Sequence, residues 1–255
     1  MVVPVRDDAP ALRACLAALA VQRTPPAEVI VVDNGSTDAT AQVAAEFGAR
    51  IVHEPVHGIP QAAAAGYDAA TGEVVARLDA DTVVGPDWVG RIAEVMADAG
   101  TAAVTGTGRF YGLPSAAARP ATWAYLCAYY VLCHAALGHH TLWGSNMAVR
   151  RSVWQEVRAA VHTDDPELHD DLDLAFALGP RRRIRLDRRL RVRVSGRSVL
   201  GVAQWRRRMR RAWRTILLNW EDLPPWERWA LRLGRRPGRS GHPARTTMDG
   251  CPTAP

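Results

Sequence analysis

The first hundred residues alternate between short runs rich in β-branched residues and longer segments with helical spacing. Continuous apolar runs of this kind are typical of strands buried on both faces of a parallel sheet. Between them, Leu12, Leu16 and Leu19 recur at helical spacing, and Pro60 and Pro86 can each open a helix that reaches a glycine. This alternation predicts βαβ units with right-handed crossovers, and so an α/β fold with a mostly parallel, Rossmann-like sheet flanked by helices. The predicted strands are Val2–Val5, Glu28–Asp33, Arg50–His53, Glu73–Asp79 and Thr101–Thr105.

Past residue 106 the alternation fades, and two halves of one domain are predicted, residues 1–106 and 107–220. In the first half, Ser36 or Thr37 is expected to cap a helix that runs to Phe47. From about Leu233 the chain is dominated by Gly, Pro, Arg and Ser, so a disordered tail is expected over 233–255. The second half is predicted to contain a loop (Thr107–Pro120), a helix (Ala121–Leu137), a strand (Gly144–Arg150), a helix (Glu167–Leu178), a basic strand pair (Arg182–Val194) and a basic helix (Val202–Trp220).

Charge is distributed unevenly over the 255 residues. All 32 basic residues are arginine. Residues 1–180 hold 11 arginines against 21 acidic residues, whereas residues 181–255 hold 21 against 5. This asymmetry favours an anionic partner for the second part, which can be a phosphate-bearing ligand, nucleic acid or a membrane surface. A solvated arginine-rich surface explains the same composition.

Composition also bounds the class of protein. No stretch of about 18 uninterrupted apolar residues occurs, so no transmembrane helix is expected, and Ala121–Leu137 is interpreted as a buried or interfacial helix. No basic leader with an apolar segment opens the chain, which predicts a cytoplasmic location. The four cysteines form no CxxC pair, which argues against a zinc site or a disulfide framework.

Two predicted strands end in aspartates, and ligands of open α/β sheets bind outside the carboxyl ends of strands. Asp33 is placed at such an end, where it can accept hydrogen bonds from a nucleobase or ribose; a plain turn is the alternative. Asp79 and Asp81, two apart on an extended chain, project to the same side. Two carboxylates in this position suit a hard divalent cation that completes its coordination with phosphate oxygens and water, although isolated Asp-x-Asp strings are usually surface loops.

A third acidic group follows His169. At 100° per residue, Asp171 falls beside the apolar stripe of its predicted helix, whereas Asp170 and Asp173 point nearly the opposite way. Asp171 is therefore expected to be partly buried, and burial is expected to raise the pKa of its carboxyl, which suits a general base. The alternative is a set of exposed acids favoured by the helix dipole.

Together these groups resemble the family 2 glycosyltransferases, which are inverting enzymes with a GT-A fold and nucleotide-sugar donors. The resemblance covers about residues 1–215. It is carried by Val3-Pro4-Val5-Arg6-Asp7-Asp8, by Val31-Val32-Asp33-Asn34-Gly35-Ser36-Thr37-Asp38, by Asp79-Ala80-Asp81, by Gly144-Ser145-Asn146-Met147-Ala148-Val149-Arg150-Arg151 and by His169-Asp170-Asp171.

The resemblance implies that residues 1–106 bind the nucleotide sugar and that 107–220 bind the acceptor and supply the base. It implies a UDP-, GDP- or dTDP-linked donor, an acceptor hydroxyl, and Mg²⁺ or Mn²⁺ as cofactor. Asp171 would be the base, and Asp81 with Asp79 would hold the metal. The further residues it implies are Pro4, Arg6, Asp8, Asp33, Asp79 and Ala80 for the nucleotide, Gly144, Ser145, Asn146 and Asp170 for a loop at the donor and acceptor, and Arg207, Arg208 and Arg211 for a clamp on the diphosphate.

Several functions remain as alternatives. The QxxRW signature of processive synthases is not present, because Arg208 stands where the tryptophan is required, so a non-processive enzyme is expected. A polyprenyl-phosphate sugar synthase of the same family is one alternative. A non-catalytic basic protein on an anionic membrane or RNA is another, although no signature of a specific nucleic-acid partner is found. Trp205, Trp213 and Trp220 share one helical face, which favours core packing, with a membrane-interface belt as the alternative.

Overall fold

Eight strands form one sheet in the computed structural model, which describes residues 1–112, 115–199 and 201–235. In space the strands follow the order β3-β2-β1-β4-β7-β6-β8-β5. The first four run parallel, and β6 runs parallel to β8, whereas β7 and β5 are antiparallel to their neighbours. The strands are β1 (Val2–Val5), β2 (Ile30–Asp33), β3 (Arg50–His53), β4 (Val74–Arg77), β5 (Thr82–Val84), β6 (Thr101–Tyr111), β7 (Met147–Arg150) and β8 (Arg183–Ser195).

Helices cover both faces of the sheet. Period-two alternation sends Val3 into the core beneath α1, α2 and α4, and Val2 into the core beneath α3, α6 and α7. The predicted α/β fold and its mostly parallel sheet are therefore confirmed. The helices are α1 (Ala9–Ala20), α2 (Thr40–Glu46), α3 (Ile59–Ala69), α4 (Trp88–Met96), α5 (Ser115–Leu137), α6 (Arg151–Val157), α7 (Asp170–Leu178), α8 (Val202–Asp222) and α9 (Pro225–Arg232), with short 3-10 helices at Arg158–Ala160 and Gly196–Val199.

Two predictions for the second half are wrong. The loop expected over Thr107–Pro120 is strand as far as Tyr111, because β6 continues alongside β8. From Ser115 it is helix, because α5 begins there rather than at Ala121. Gly106 permits this close pairing, since a Cβ there would lie 2.2 Å from the carbonyl oxygen of Leu190. The expected basic strand pair is the single strand β8, whose buried Leu190, Val192 and Val194 alternate with arginines.

The helix cap expected at Ser36 or Thr37 is also wrong, because α2 begins only at Thr40. The hydroxyl of Ser36 accepts a hydrogen bond from the backbone N–H of Asp7, and the carboxylate of Asp7 accepts one from the N–H of Thr37. These bonds tie the loop after β2 to the loop after β1. Asp7, Ser36 and Thr37 therefore hold the two loops together at the carboxyl ends of β1 and β2, and Ser36 and Thr37 do not cap a helix.

Strand β7 begins at Met147 rather than Gly144, and β5 is not predicted from the sequence. Further differences lie near the carboxyl terminus. Helix α7 begins at Asp170 rather than Glu167 and closes at Gly179, whose φ of 72° suits glycine. Helix α8 is confirmed and is followed by α9, which the sequence did not predict. The disordered tail predicted over 233–255 lies, from residue 236, outside the described residues. The division of the chain at residue 106 stays a prediction.

Candidate active site

A pocket of about 670 Å³ opens where β1 and β4 end, beside the start of α7. Loops after these strands, the segment before β7, and helix α8 supply its walls. Asp81 and Asp171, which are 90 positions apart in the sequence, line this same pocket. The predicted residues that line it are Pro4, Arg6, Asp8, Asp79, Ala80, Asp81, Gly144, Ser145, Asp170, Asp171, Arg207, Arg208 and Arg211.

A buried arginine organises the floor of the pocket. Arg77, the last residue of β4, is 3% exposed and donates hydrogen bonds to Asp170 and, over 3.1 Å, to Asp79. Burial disfavours its charge, but Asp170, Tyr67 and Asp79 outweigh burial and raise the pKa of Arg77. The second oxygen of Asp79 accepts the hydroxyl of Ser145 at 2.5 Å. Arg77 therefore fixes two carboxylates that come from distant parts of the chain.

Asp171 is buried, and both of its oxygens have partners. Oδ2 accepts the backbone N–H of Gly144 at 2.6 Å, and Oδ1 lies 2.7 Å from Nδ1 of His169. Burial raises the pKa of Asp171, but His169, Arg77 and the Gly144 N–H outweigh it and lower that pKa to about 2. The burial predicted for Asp171 is confirmed, whereas the predicted rise of its pKa is wrong, because Arg77 and Gly144 reach Asp171 only in the folded chain.

The prediction for Asp173 was also wrong. Its side chain is 1% exposed rather than pointing to solvent. It accepts hydrogen bonds from the backbone N–H of His162 and from the amide of Asn219, at 2.7 and 2.8 Å. The chain folds back on this side of α7, so Asp173 joins α7 to α8.

Asp81 has a different environment from the other pocket carboxylates. No other described residue donates a hydrogen bond to its carboxylate, and burial followed by the charge of Asp79 raises the pKa of Asp81 to about 7. Its negative charge is therefore poorly compensated. Oxygen ligands with uncompensated charge beside a second carboxylate fit a divalent cation such as Mg²⁺ or Mn²⁺.

A second set of groups has metal-ligand spacing. Ligand atoms of His169, Asp170 and Asp171 lie within 4.8 Å of one another. In this set, however, Arg77 already neutralises Asp170, and His169 already bonds Asp171. The chemistry of the donors therefore fits a cation better at Asp81 than at this cluster.

One wall of the pocket is basic. Arg207 and Arg211 both bond the carboxylate of Glu167, and Arg208 donates to the hydroxyl of Tyr125 at 2.7 Å. Hydrogen bonds from Arg211 and Arg207 lower the pKa of Glu167 to about 2. These contacts hold three guanidinium groups at the rim, where an anionic group in the pocket can meet them.

Two predicted residues do not line the pocket. Asp33 ends β2, and its Oδ1 accepts the N–H of Ser36 at 2.9 Å; its neighbour Asn34 lines the pocket instead. Asn146 is fully buried and bonds Trp88 and the carbonyl groups of Thr107 and Leu190. Their assigned roles stay predictions.

Of the lining residues that the sequence analysis missed, three have a basic side chain. Arg77 stands two residues before Asp79, and the same two-residue spacing that linked Asp79 with Asp81 could have included it. His169 was named only as a neighbour of the acidic pair. Arg197, which bonds Asp8 at 2.5 Å across the pocket, had no signal, because 189 residues separate the partners.

The fold is that of the GT-A glycosyltransferases, as comparison with solved structures shows. A mannosyltransferase from Pyrobaculum calidifontis, solved with GDP-Man and Mn²⁺, superposes with a TM-score of 0.69 at 20% identity, over 91% of this chain and 67% of that one. Glucosyl-3-phosphoglycerate synthase from Mycobacterium tuberculosis gives 0.62 at 18% identity, over 86% and 78% of the two chains. S. aureus TarS 1-349, in complex with UDP-GlcNAc, gives 0.61 at 15%, over 91% and 70%.

The chain belongs to glycosyl transferase family 2, whose model matches residues 1–158. It therefore contains a family 2 glycosyltransferase domain, and the predicted family and enzyme class are confirmed. An uncharacterised glycosyltransferase of Mycobacterium tuberculosis is 41% identical over 110 residues, which are 43% of this chain and 48% of that protein. A putative glycosyltransferase of Bacillus subtilis, EpsH, is 28% identical over 103 residues, covering 38% and 30%. The chain thus spans about half or less of the length of these relatives.

Proposed function

We propose that this enzyme moves a sugar from a nucleotide-sugar donor to an acceptor hydroxyl in a single, non-processive displacement assisted by Mg²⁺ or Mn²⁺. The observation that carries the proposal is that Asp81 and Asp171 line one pocket, with an arginine wall beside them. The acceptor is a cell-envelope glycan, a glycolipid or a secondary metabolite, and the enzyme works in the cytoplasm or at the inner face of the membrane.

In this proposal Asp81, with Asp79 beside it, would hold the cation. When bound, the cation acts as a Lewis acid that offsets the charge of the departing diphosphate. Arg207, Arg208 and Arg211 contribute positive charge on the opposite wall. Pro4, Arg6, Asp8 and Ala80 line the part of the pocket assigned to the nucleoside, which can be that of UDP, GDP or dTDP.

Asp171 is assigned the general-base role. Its carboxylate takes the proton of the acceptor hydroxyl, the acceptor oxygen forms a bond to the anomeric carbon, and the bond from that carbon to the diphosphate oxygen breaks with its electron pair. A single displacement of this kind inverts the anomeric carbon. The lowered pKa keeps Asp171 ionised at neutral pH, and the bonds from Gly144 and His169 hold its orientation. His169 is a positioning residue.

Asp33 and Asn146 keep their predicted roles in modified form. Asp33 would contact a nucleobase from its position next to Asn34, which lines the pocket. The carboxylate of Asp33 also accepts the backbone N–H of Ser36 and so closes the turn there. Asn146 would act through the segment Gly144-Ser145, whose position it fixes by bonding Trp88. Asp170, which Arg77 holds by a hydrogen bond, lines the same pocket as Gly144 and Ser145.

The test combines binding with turnover. Thermal-shift measurements with UDP, GDP, dTDP and their sugars, with and without Mn²⁺, identify the donor, because a ligand of the folded state raises the melting temperature. Asp171→Asn should abolish transfer and leave the donor shift intact, whereas Asp81→Ala should weaken the Mn²⁺-dependent shift. Asp87→Asn, at an exposed ion pair with Arg23, is the matched control and should change neither.

Two results would overturn the proposal. One is full transfer activity in Asp171→Asn or Asp81→Ala. The other is the absence of a shift with every nucleotide tested. A product analysis by NMR decides the stereochemistry, since retention of the anomeric configuration would contradict a single displacement.

A further inference from the structure

Between Trp123 and Ala135, helix α5 exposes a face without a charged or strongly polar side chain. From Trp123 to Ala135 every exposed residue is apolar, although a surface helix normally carries charged residues on that side. Two of these side chains are large and strongly exposed, Trp123 at 72% and Leu132 at 67%. The exposed residues are Trp123, Ala124, Cys127, Ala128, Val131, Leu132 and Ala135.

Helix α8 extends this apolar face. Trp205, Met209, Trp213 and Leu217 recur every fourth residue and are all exposed. The ring of Trp205 lies 6.0 Å from that of Tyr125 on α5. The core packing favoured for Trp205 and Trp213 is therefore wrong, because both side chains are exposed.

A second contact links the carboxyl-terminal half of α8 to the end of α5. Trp220 Nε1 donates to the carbonyl oxygen of Ala136 near the end of α5, and the Trp213 ring packs edge-on against Trp220. We refer to the combined surface as the α5–α8 face. It consists of Trp123, Val131, Leu132, Trp205, Met209, Trp213 and Leu217.

A row of arginines borders the α5–α8 face. Arg206, Arg210 and Arg214 follow α8 one position after the apolar residues, and all three are exposed. Arg210 and Arg214 also form ion pairs with Glu167 and Asp165, so their charge is partly compensated within the chain. Helix α8 carries six arginines against two acidic residues. An apolar stripe with tryptophan, bordered by arginine, is the pattern of a helix that lies in the interface of an anionic bilayer.

We propose that the α5–α8 face docks this enzyme on the surface of a membrane that contains anionic lipid. The apolar side chains enter the boundary between headgroups and acyl chains, and the arginine row meets lipid phosphates. A second copy of the chain fits less well, because a self-complementary contact would bring two arginine rows together. Residues 236–255 also fit less well, since Met248 is their one large apolar side chain.

Among the described residues no helix has both the length and the hydropathy to cross a bilayer. The face adjoins the pocket, since Tyr125 of α5 and Arg207 and Arg208 of α8 line it. Docking therefore sets the pocket mouth beside the headgroup layer. This selects an acceptor carried by a lipid, a consequence that rests on the proposed function.

The test is flotation of the full chain with vesicles of phosphatidylcholine alone and with 30% phosphatidylglycerol. We expect binding to the anionic vesicles that weakens as salt is raised, because screening reduces the arginine contribution. Trp123→Ser with Leu132→Ser should lower the partition coefficient at least about tenfold, since each removes apolar area from the interface. Val21→Ser with Val56→Ser is the matched control, at side chains 69% and 54% exposed elsewhere on the surface, and should leave binding unchanged.

Four outcomes would overturn the proposal. They are no binding to anionic vesicles, an equal loss in the test and control pairs, binding unaffected by the test pair, and a concentration-dependent dimer that the test pair dissociates without any vesicle binding. The dimer would assign the face to a second copy. Thermal shifts with nucleotides, measured on the same samples, separate this inference from the proposed function. The Trp123→Ser, Leu132→Ser protein should keep these shifts. If the shifts are absent while flotation is intact, only the proposed function is refuted.

Discussion

Replacing Arg77 with methionine tests whether one buried cation supports the carboxylates of the pocket. Arg77 is 3% exposed, and its two ion-pair partners, Asp170 and Asp79, have side chains 13% and 39% exposed. Methionine fills much of the same volume but leaves Asp170 as a buried charge without a counter-ion. Removing one member of a buried pair costs about 3–5 kcal/mol of unfolding free energy, because the remaining charge stays desolvated. For a chain of this size that is a fall in melting temperature of about 6–15 °C.

Arg23 provides the matched control. Its ion pair with Asp87 spans 2.6 Å, but both side chains are more than two-thirds exposed. Water solvates that pair in either state, so Arg23→Met should change the unfolding free energy by less than about 1 kcal/mol. Urea unfolding of both variants, followed by circular dichroism, gives the comparison.

A further variant isolates the charge from the loss of packing. Asp170→Asn removes the orphaned charge, so in the Arg77→Met background it should restore part of the lost stability. The reasoning would be refuted by equal losses in Arg77→Met and Arg23→Met. It would also be refuted if Asp170→Asn destabilised the Arg77→Met protein as much as it destabilises the parent.

Two further predictions concern stability. Asp173→Ala should lower the unfolding free energy by about 2–4 kcal/mol, because it leaves buried donors, including the amide of Asn219, without an acceptor. The control Asp87→Ala should lower it by less than about 1 kcal/mol. Similar losses for the two variants in urea unfolding would contradict this prediction. Burial lowers the pKa of His139 to about 4 in the folded chain, from 6.5 in the unfolded chain. Between these two pH values the unfolded chain is protonated at His139 and the folded chain is not. Stability should therefore fall by about 2 kcal/mol from pH 7 to pH 5, and this component should be missing in His139→Gln; an identical fall in both proteins would contradict the assignment.

The parts of the fold that the sequence predicted are those that short-range patterns specify. β-Branched runs located the first four strands, because buried parallel strands leave a continuous apolar signal. The helical spacing of Leu12, Leu16 and Leu19 located α1. The Asp79–Asp81 spacing likewise placed both carboxylates on the pocket side. In β8, by contrast, alternation with arginine concealed a continuous strand whose buried residues face one side.

The site features that were missed depend on contacts between distant residues. The pKa of Asp171 follows from His169, Gly144 and Arg77, and only His169 is its neighbour in the sequence. The helical wheel gave the burial of Asp171 correctly, but burial alone predicts the opposite shift. Local patterns can therefore find the residues of such a site, whereas their ionisation depends on partners that only the fold brings together.

The charges of the pocket lead to a last prediction about Asp81. Among the described residues, five aspartates line the pocket, and four of them have a cationic partner within 4 Å: Arg197 for Asp8, Arg77 for Asp79 and Asp170, and His169 for Asp171. Asp81 has none at that distance, and burial with the charge of Asp79 raises its pKa to about 7.

A site held ready for a ligand stores unfavourable electrostatic energy when the ligand is absent. With chelator at pH 8, Asp81→Asn should therefore raise the unfolding free energy, by about 1–3 kcal/mol, because it removes a poorly compensated negative charge. In the same variant the stabilisation by Mn²⁺ with a nucleoside diphosphate should be lost. Asp87→Asn should show neither effect. An Asp81→Asn protein that is less stable than the parent in chelator, or that keeps its response to Mn²⁺, would mean that the uncompensated charge has no role in binding a cation.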